Sequence, residues 1–368
     1  MRGEPELFPG KVGVQQRVLP TYRVAFFDRL GQACSGGLSV FAGEPRPAES
    51  IQTGAQPTQA TLVPAANLHL LSGRMYTCLQ LGLLRWLRDC EPDVLVLEAN
   101  LRNALNPLAI RWMHRRQRPV IGWGLGVSPA GGVLRRGLQG AILGSLDAII
   151  AYSTVGAESY VRAGVPEGRV HVAVNAVACA PPRPVKREPI AGRSPRVLFV
   201  GRLQARKRLD LLLRACAATR VDPELWIVGE GPERAALETL AQQVFPAARF
   251  LGPLEGQALV RVFAETDVLV LPGTGGLAVQ EAMAHGLPVV VAEGDGTQRD
   301  LVRADNGWLV PAGDLAALRD VLDVALSDPV RLRRMGAESQ RIVAQEINID
   351  AMVRVFVRVL QRAARRGS

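Results

Sequence analysis

Short runs of β-branched and aliphatic residues recur along nearly the whole chain, each followed by an amphipathic stretch, and this cadence restricts the fold more than any other feature. The runs are KVGVQQRVL, LSVFAG, TLVPA, DVLVLEA, PVIGWGL, AIIAYS and RVHVAVN, then RVLFVGR, ELWIVGEG, ARFLGP, VLVLPG, PVVVAE and GWLVPAG. Strands that alternate with helices predict parallel sheets covered on both faces, an α/β architecture. Between the two series lies ACAPPRPVKREPIAGRSP, which has five prolines and no periodicity. A chain of 368 residues exceeds one ordinary core, so two doubly wound, Rossmann-like domains facing a cleft are expected. The boundaries read as 1–177 for the first domain, 178–194 for the linker, 195–347 for the second domain and 348–368 for a basic helix. That last segment, INIDAMVRVFVRVLQRAARR, is amphipathic and suited to cross back onto the first domain or to touch a membrane.

Several function classes are excluded. No apolar run approaches the ~20 residues of a bilayer span. The start, MRGEPELFPGKVGVQQRVL, is acidic where an export signal is basic, so a cytoplasmic location is expected. Five scattered cysteines without a CxxC pair, and four dispersed histidines, predict free thiols and no protein-held metal. The net charge of +10 is almost all arginine. Between residues 101 and 180, Arg102, Arg111, Arg115, Arg116, Arg118, Arg135, Arg136, Arg162 and Arg169 face only Asp147, Glu158 and Glu167. In RMYTCLQLGLLRWLRDC and NPLAIRWMHRRQRP they fall at helical spacing. Two readings stay open, solvated helix faces or a surface for anionic headgroups on the inner face of a membrane. No nucleic-acid motif accompanies the charge, so nucleic acid is not an expected partner.

Three segments of the second half carry chemistry. In VLFVGRLQARKRLDLLLRA a strand ends at Gly201 and leads to Arg202 and Lys207, two cations able to hold diphosphate oxygens. ELWIVGEGPERAALETLA places Gly229 and Gly231 in a strand-to-helix turn, and in ARFLGPL the backbone of Phe250 and Leu251 is available to a base edge. In VLVLPGTGGLAVQEAMAHGLPVVVAE the strand ends at Pro272, and Gly273, Thr274, Gly275 and Gly276 turn into a helix starting near Leu277. Free amides at that start attract phosphate, and Glu281, a turn further in, is placed to accept ribose hydroxyls.

Taken in order, GRLQARK, VGEGPE, RFLG, ETDVLVLP and EAMAHGLPVV resemble the donor domain of the family 4 retaining glycosyltransferases, which have the GT-B fold. The resemblance covers residues 196 to about 315. It implies that Arg202 and Lys207 hold the donor diphosphate as the catalytic electrostatics, that Glu281 binds the ribose, and that a UDP- or GDP-sugar serves as substrate without a cofactor. The first half is similar more loosely, through LPTYRVAFFDRL and AYSTVGAESYVRAGVPEGRVHVAVNAV. It implies an acceptor domain, with Tyr22, Arg23, Trp123, Gly124 and Asn175 on the acceptor side and a glycan or lipid-linked acceptor as partner. Two departures stand out. The family's first glutamate, eight positions before the second, is replaced by Gly273, and Leu125 stands in IGWGLGVSP where many members carry a histidine. A sugar-nucleotide binding protein without activity, and an epimerase using Glu98 and Glu281, are the alternatives.

Overall fold

The computed structural model describes residues 7–49, 51–73, 76–100, 102–127, 133–185, 187, 190 and 192–367. Residues 1–6, Ser128, Pro129 and the side chains of Arg135, Arg136 and Arg366, all named above, lie outside that set. The chain forms two units: one runs to Val177 and takes in Ile349 onward, and the other is Ala178–Asn348.

The first unit contains β1 (Val12–Val18), α1 (Val24–Gln32), β2 (Leu38–Gly43), β3 (Thr61–Leu70), β4 (Thr77–Leu81), α2 (Leu83–Cys90) and β5 (Val94–Glu98). It continues with α3 (Asn106–His114), β6 (Val120–Gly124), α4 (Val133–Gly144), β7 (Ala148–Ala151), α5 (Thr154–Arg162) and β8 (Val170–Val172). The sheet order is β4-β3-β2-β1-β5-β6-β7-β8, parallel throughout except for the antiparallel β3–β4 pair. Its central strands are buried on both faces, which is why they read as unbroken apolar runs.

Two features differ from the sequence reading or extend it. RMYTCLQLGLLRWLRDC is helical only from Leu83. Cys78 and Gln80 point inward at a period of two, so Thr77–Leu81 is an edge strand, and Gly82 at φ 88° turns it into α2. The carboxy-terminal segment forms α13, Ile349–Gly367, and belongs to the first unit. Its Met352, Phe356, Val357 and Leu360 recur at helical spacing and join Phe26, Phe27 and Trp123 in one core. Burying each such side chain contributes about 1.5–3 kcal/mol before entropy is counted. Arg354, Arg358, Arg362 and Arg365 occupy the opposite, exposed face.

After β8, the second unit contains β9 (Arg196–Val200), α6 (Leu209–Ala218), β10 (Glu224–Val228), α7 (Arg234–Val244), β11 (Arg249–Gly252), α8 (Gly256–Glu265) and β12 (Val268–Leu271). It ends with α9 (Leu277–Ala284), β13 (Val289–Ala292), α10 (Gln298–Leu301), β14 (Gly307–Val310), α11 (Leu315–Leu326) and α12 (Pro329–Gln345). The sheet is wholly parallel in the order β11-β10-β9-β12-β13-β14, so the winding reverses between β9 and β12. The proline-rich stretch is fastened to this unit. Arg187 is half-buried and donates to the carbonyls of Phe263, Ala264, Thr266 and His285, capping the end of α8. Burial and the neighbouring Arg333 draw its guanidinium down to about 10, which still leaves it charged at neutral pH. Asp267, fully buried, accepts two hydrogen bonds from Arg193 (2.7 and 2.9 Å), one from Arg333 (2.7 Å) and one from the Arg196 amide (2.8 Å). Burial pushes its carboxyl up, but these donors prevail and hold it below the usual range.

Backbone hydrogen bonds stitch together the loops at the carboxyl ends of β9, β10 and β11. Gly201 N–H donates to Val228 O (3.0 Å), Leu203 N–H to Glu230 O (2.9 Å) and Gly229 N–H to Gly252 O (2.8 Å). Gly229 has φ 138°, and a Cβ there would lie 2.0 Å from Gly201 O. Gly229→Ala is therefore expected to destabilise the second unit by about 1–3 kcal/mol in urea denaturation. Gly137→Ala, at an open position of α4, is expected to stabilise by about 0.5–1 kcal/mol. Equal effects from the two substitutions would contradict this packing.

Candidate functional site

In an open parallel sheet, ligands bind beyond the carboxyl ends of the strands where the order reverses. In the second unit that point lies behind β9 and β12, and the residues singled out in the sequence gather there. Gly201 and Arg202 follow β9, and Lys207 ends a single 3-10 turn, Ala205–Lys207. Pro272 and the glycine loop follow β12 and lead into α9, whose N-cap is Gly276.

The two loops touch. Lys207 Nζ donates to Thr274 O (2.6 Å), Arg206 Nη1 donates to Thr274 Oγ1 (3.2 Å), and Thr274 N–H donates to Arg206 O (3.1 Å). Burial draws the Lys207 ammonium down to about 8, with repulsion from Arg206 adding to the shift and Asp295 opposing it. A desolvated cation of this kind gains most when an anion arrives. Gly273 is tied to the same contact, because a Cβ there would stand 2.3 Å from Arg206 O and 2.6 Å from Lys207 Cα. The backbone of Arg206 and Lys207 thus occupies the space a glutamate at this position would need.

The first turn of α9 carries no acidic residue, and its N-cap Gly276 supplies no side-chain cap to the leading amides. Glu281 is half-buried on the second turn, and burial raises its carboxyl above the usual range. Hydrogen-bond donors from a ligand would favour its ionised form. Gly229 and Gly231 sit in the turn after β10. Phe250 and Leu251 lie on β11, whose outer edge has no strand partner in the sheet, so backbone groups there are available for pairing. Sequence reading missed Arg206, Asp295 and Gln298. Gln298 Nε2 donates to Gly275 O (3.1 Å) and to Asp295 Oδ1 (3.2 Å), bracing the glycine loop from the following turn. GDGTQRD has the composition of any polar turn, and nothing local marks it.

In the first unit, Tyr22 is exposed and Arg23 is buried. Arg23 lies 4.6 Å from the Trp123 ring centroid and 5.9 Å from that of Tyr22. Trp123 requires correction as an acceptor-facing residue: it is fully buried and packs against Phe26, Phe27, Tyr152 and Phe356. An inward position on a central strand, beneath α1 and α13, makes it core. Gly124 is packed as well, since a Cβ there would stand 2.5 Å from the Tyr160 hydroxyl. Asn175 follows β8 and donates its N–H to Tyr152 O (3.0 Å). Glu98 ends β5 and accepts from Arg17 N–H, Asn100 and Asn103. Among the described residues no three His, Cys, Asp or Glu side chains gather as metal ligands.

Residues 183–342 match the model of the glycosyl transferases group 1 family. The chain is 32% identical over 185 residues to a GDP-mannose-dependent monoacylated alpha-(1-6)-phosphatidylinositol monomannoside mannosyltransferase of Corynebacterium glutamicum, a match covering 47% of this chain and 48% of the relative. It is 30% identical over 256 residues to a D-inositol 3-phosphate glycosyltransferase of Xylanimonas cellulosilytica, covering 62% of this chain and 61% of the relative. The chain thus spans about half to three-fifths of the length of these relatives. Among solved structures, Anabaena HepE in complex with UDP superposes with a TM-score of 0.73 at 15% identity, covering 96% of this chain and 99% of that one. Sucrose-phosphate synthase from Thermosynechococcus elongatus gives 0.71 at 20%, covering 96% and 98%. The fold is that of the GT-B glycosyltransferases, with two Rossmann-like domains, and residues 183–342 are similar to the glycosyl transferases group 1 family.

Proposed function

We propose that the protein is a retaining glycosyltransferase that moves a hexose-type sugar from a nucleoside-diphosphate sugar to a glycan or lipid-linked acceptor in glycolipid or polysaccharide synthesis. The observation that carries this reading is the convergence of Lys207, the glycine loop, the start of α9 and Glu281 at the winding reversal of the second sheet. The relatives named as GDP-mannose-dependent support a GDP-sugar, and a UDP-sugar is the alternative donor.

In this reading Arg202 and Lys207 hold the diphosphate, the amides of Gly275 to Leu277 receive its second phosphate, and Glu281 accepts the ribose hydroxyls. With Gly273 in place of a carboxylate, Thr274 and the loop amides are left to meet the sugar. Transfer with retention follows a front-face path. The bond between the anomeric carbon and the phosphate oxygen breaks, the acceptor oxygen bonds to the same face, and the departing phosphate oxygen takes the acceptor's proton. The work left to the protein is stabilising charge on the leaving diphosphate, and a protein-held metal has no part in the proposal. The first unit would present Tyr22, Arg23, Gly124 and Asn175 toward the acceptor.

Lys207 supplies the test. Bound diphosphate raises its pKa again, so binding takes up a proton wherever the free ammonium, near 8, has been lost. Affinity for GDP or UDP should be level below about pH 7 and weaken above pH 8, approaching tenfold per pH unit. Lys207→Arg should flatten the profile, and Arg202→Ala with Lys207→Ala should lower sugar transfer by at least about 10³-fold. A pH-independent affinity in the wild type, or unchanged transfer in the double variant, would remove the diphosphate role.

We also propose that the first unit docks on an anionic membrane surface. No described helix is long and apolar enough to cross a membrane. Arg354, Arg358, Arg362 and Arg365 form an exposed row on α13, whereas the exposed Arg85, Arg88, Arg111, Arg115 and Arg116 belong to the opposite face of the sheet, with α2 and α3, so the α13 row is the docking face. Near an anionic surface each contributes about 1 kcal/mol. Liposome flotation should favour phosphatidylglycerol over phosphatidylcholine vesicles, and the preference should fall with Arg358→Glu and Arg362→Glu. Equal flotation on both lipids would overturn the docking.

A further inference from the structure

Arg23, immediately before α1, is a cation buried without a counter-charge. It is 6% exposed, its Nη1 finds no hydrogen-bond acceptor, and it forms no ion pair among the described residues. A guanidinium cannot escape burial by losing its proton as a lysine can. What surrounds it is aromatic: the centroids of Trp123, Tyr152 and Tyr22 lie 4.6, 5.3 and 5.9 Å from its central carbon. Ring faces attract a cation but do not neutralise it. Tyr152 cannot serve as the anion, because burial pushes its hydroxyl up to about 12 even with Arg23 pulling the other way. Glu98 lies near enough to raise that hydroxyl further, yet its oxygens are engaged by the Arg17 amide, Asn100 and Asn103.

The place of this group in the fold is informative. Trp123 belongs to the carboxyl end of β6, Tyr152 directly follows β7, and Asn175, whose Oδ1 is likewise buried without a partner, follows β8. All three are on the sheet edge that receives ligands in such folds. Tyr22, beside Arg23 in sequence, is 47% exposed, so the guanidinium sits just beneath the surface.

We propose that Arg23 and its aromatic frame bind one oxyanion, a phosphate or carboxylate, carried by the sugar or polyol acceptor. The anion would take the Nη1 donor that the fold leaves open, and the rings, with the Tyr152 hydroxyl that Arg23 also hydrogen-bonds, would orient the guanidinium while the acceptor's neutral part rests on Tyr22. That the ligand is the acceptor rests on the glycosyltransferase reading. That the site takes an oxyanion does not.

Thermal unfolding with GDP present at saturation, so that the second unit's cations are occupied, separates the possibilities. The probes are inorganic phosphate, glucose 6-phosphate and glucose at constant ionic strength, applied to the wild type, Arg23→Met and Arg23→Lys. Millimolar glucose 6-phosphate should raise the wild-type midpoint by roughly 3 °C, inorganic phosphate less, and glucose not at all. Arg23→Met should fold with a midpoint near or above that of the wild type, since it removes an uncompensated charge, and should ignore both anions. Arg23→Lys, which keeps the charge but loses the guanidinium, should respond several-fold more weakly than the wild type. Anions that leave the wild type unmoved, or that stabilise Arg23→Met equally, would overturn the site. An equal response to phosphate and glucose 6-phosphate would overturn its assignment to the acceptor. Binding of GDP should be the same in all three proteins, and its absence from the wild type would count against the glycosyltransferase reading alone.

Discussion

The reversal of winding between β9 and β12 is the constraint on which the candidate site depends. Strands on either side of it send their connections to opposite faces of the sheet, so the loops behind β9 and β12 diverge and leave their ends facing outward. The chain then narrows this opening by bringing backbones together at glycines. Gly229 lies against Gly201, and Gly273 lies against Arg206 and Lys207, at distances where a Cβ would collide. Lys207 is thereby desolvated beside a loop of carbonyls and amides, with its ammonium drawn down to about 8 and donating to Thr274 O. In the proposed reading, an arriving diphosphate restores the charge that burial disfavours.

Substitution of Gly273 for the family's first glutamate acquires a physical meaning in this setting. A carboxylate there would need the space held by the Arg206–Lys207 backbone, and it would place a negative charge beside Lys207. Without it the loop closes onto the lysine. In the proposed reading, recognition of the sugar passes from a fixed carboxylate to the hydroxyl of Thr274 and the loop's backbone amides.

Much of this was legible in the sequence because strand ends in parallel sheets are local signals. A buried run that stops at a glycine followed by basic residues, as at Gly201 to Lys207, or at Pro272 followed by a glycine loop, declares both a strand end and a ligand edge. The two cores and the returning helix α13 were legible for the same reason, since Met352, Phe356 and Leu360 carry a helical period. What was not legible depends on contacts between distant segments. Gln298 and Asp295 reach the glycine loop from a turn with no pattern of its own. Strand β4 was hidden because LQLGLL satisfies a helical and an alternating period alike until Gly82 breaks the chain direction. Trp123, near the end of the strand run PVIGWGL, reads in the sequence as an acceptor-side residue. Only the packing of α1 and α13 over β6 makes it core, and makes it a wall for Arg23.

The central claim is that the second unit binds a nucleoside diphosphate with its ribose on Glu281, and a thermodynamic cycle tests it most directly. Isothermal titration would compare GDP with 2′,3′-dideoxy-GDP on the wild type and on Glu281→Ala. Hydrogen bonds to a charged acceptor contribute about 1.5–3 kcal/mol, so the wild type should bind GDP roughly 10- to 100-fold more tightly than the dideoxy analogue, and the variant should bind the two alike. Equal affinities in the wild type, or a preference for GDP that survives in Glu281→Ala, would contradict the account.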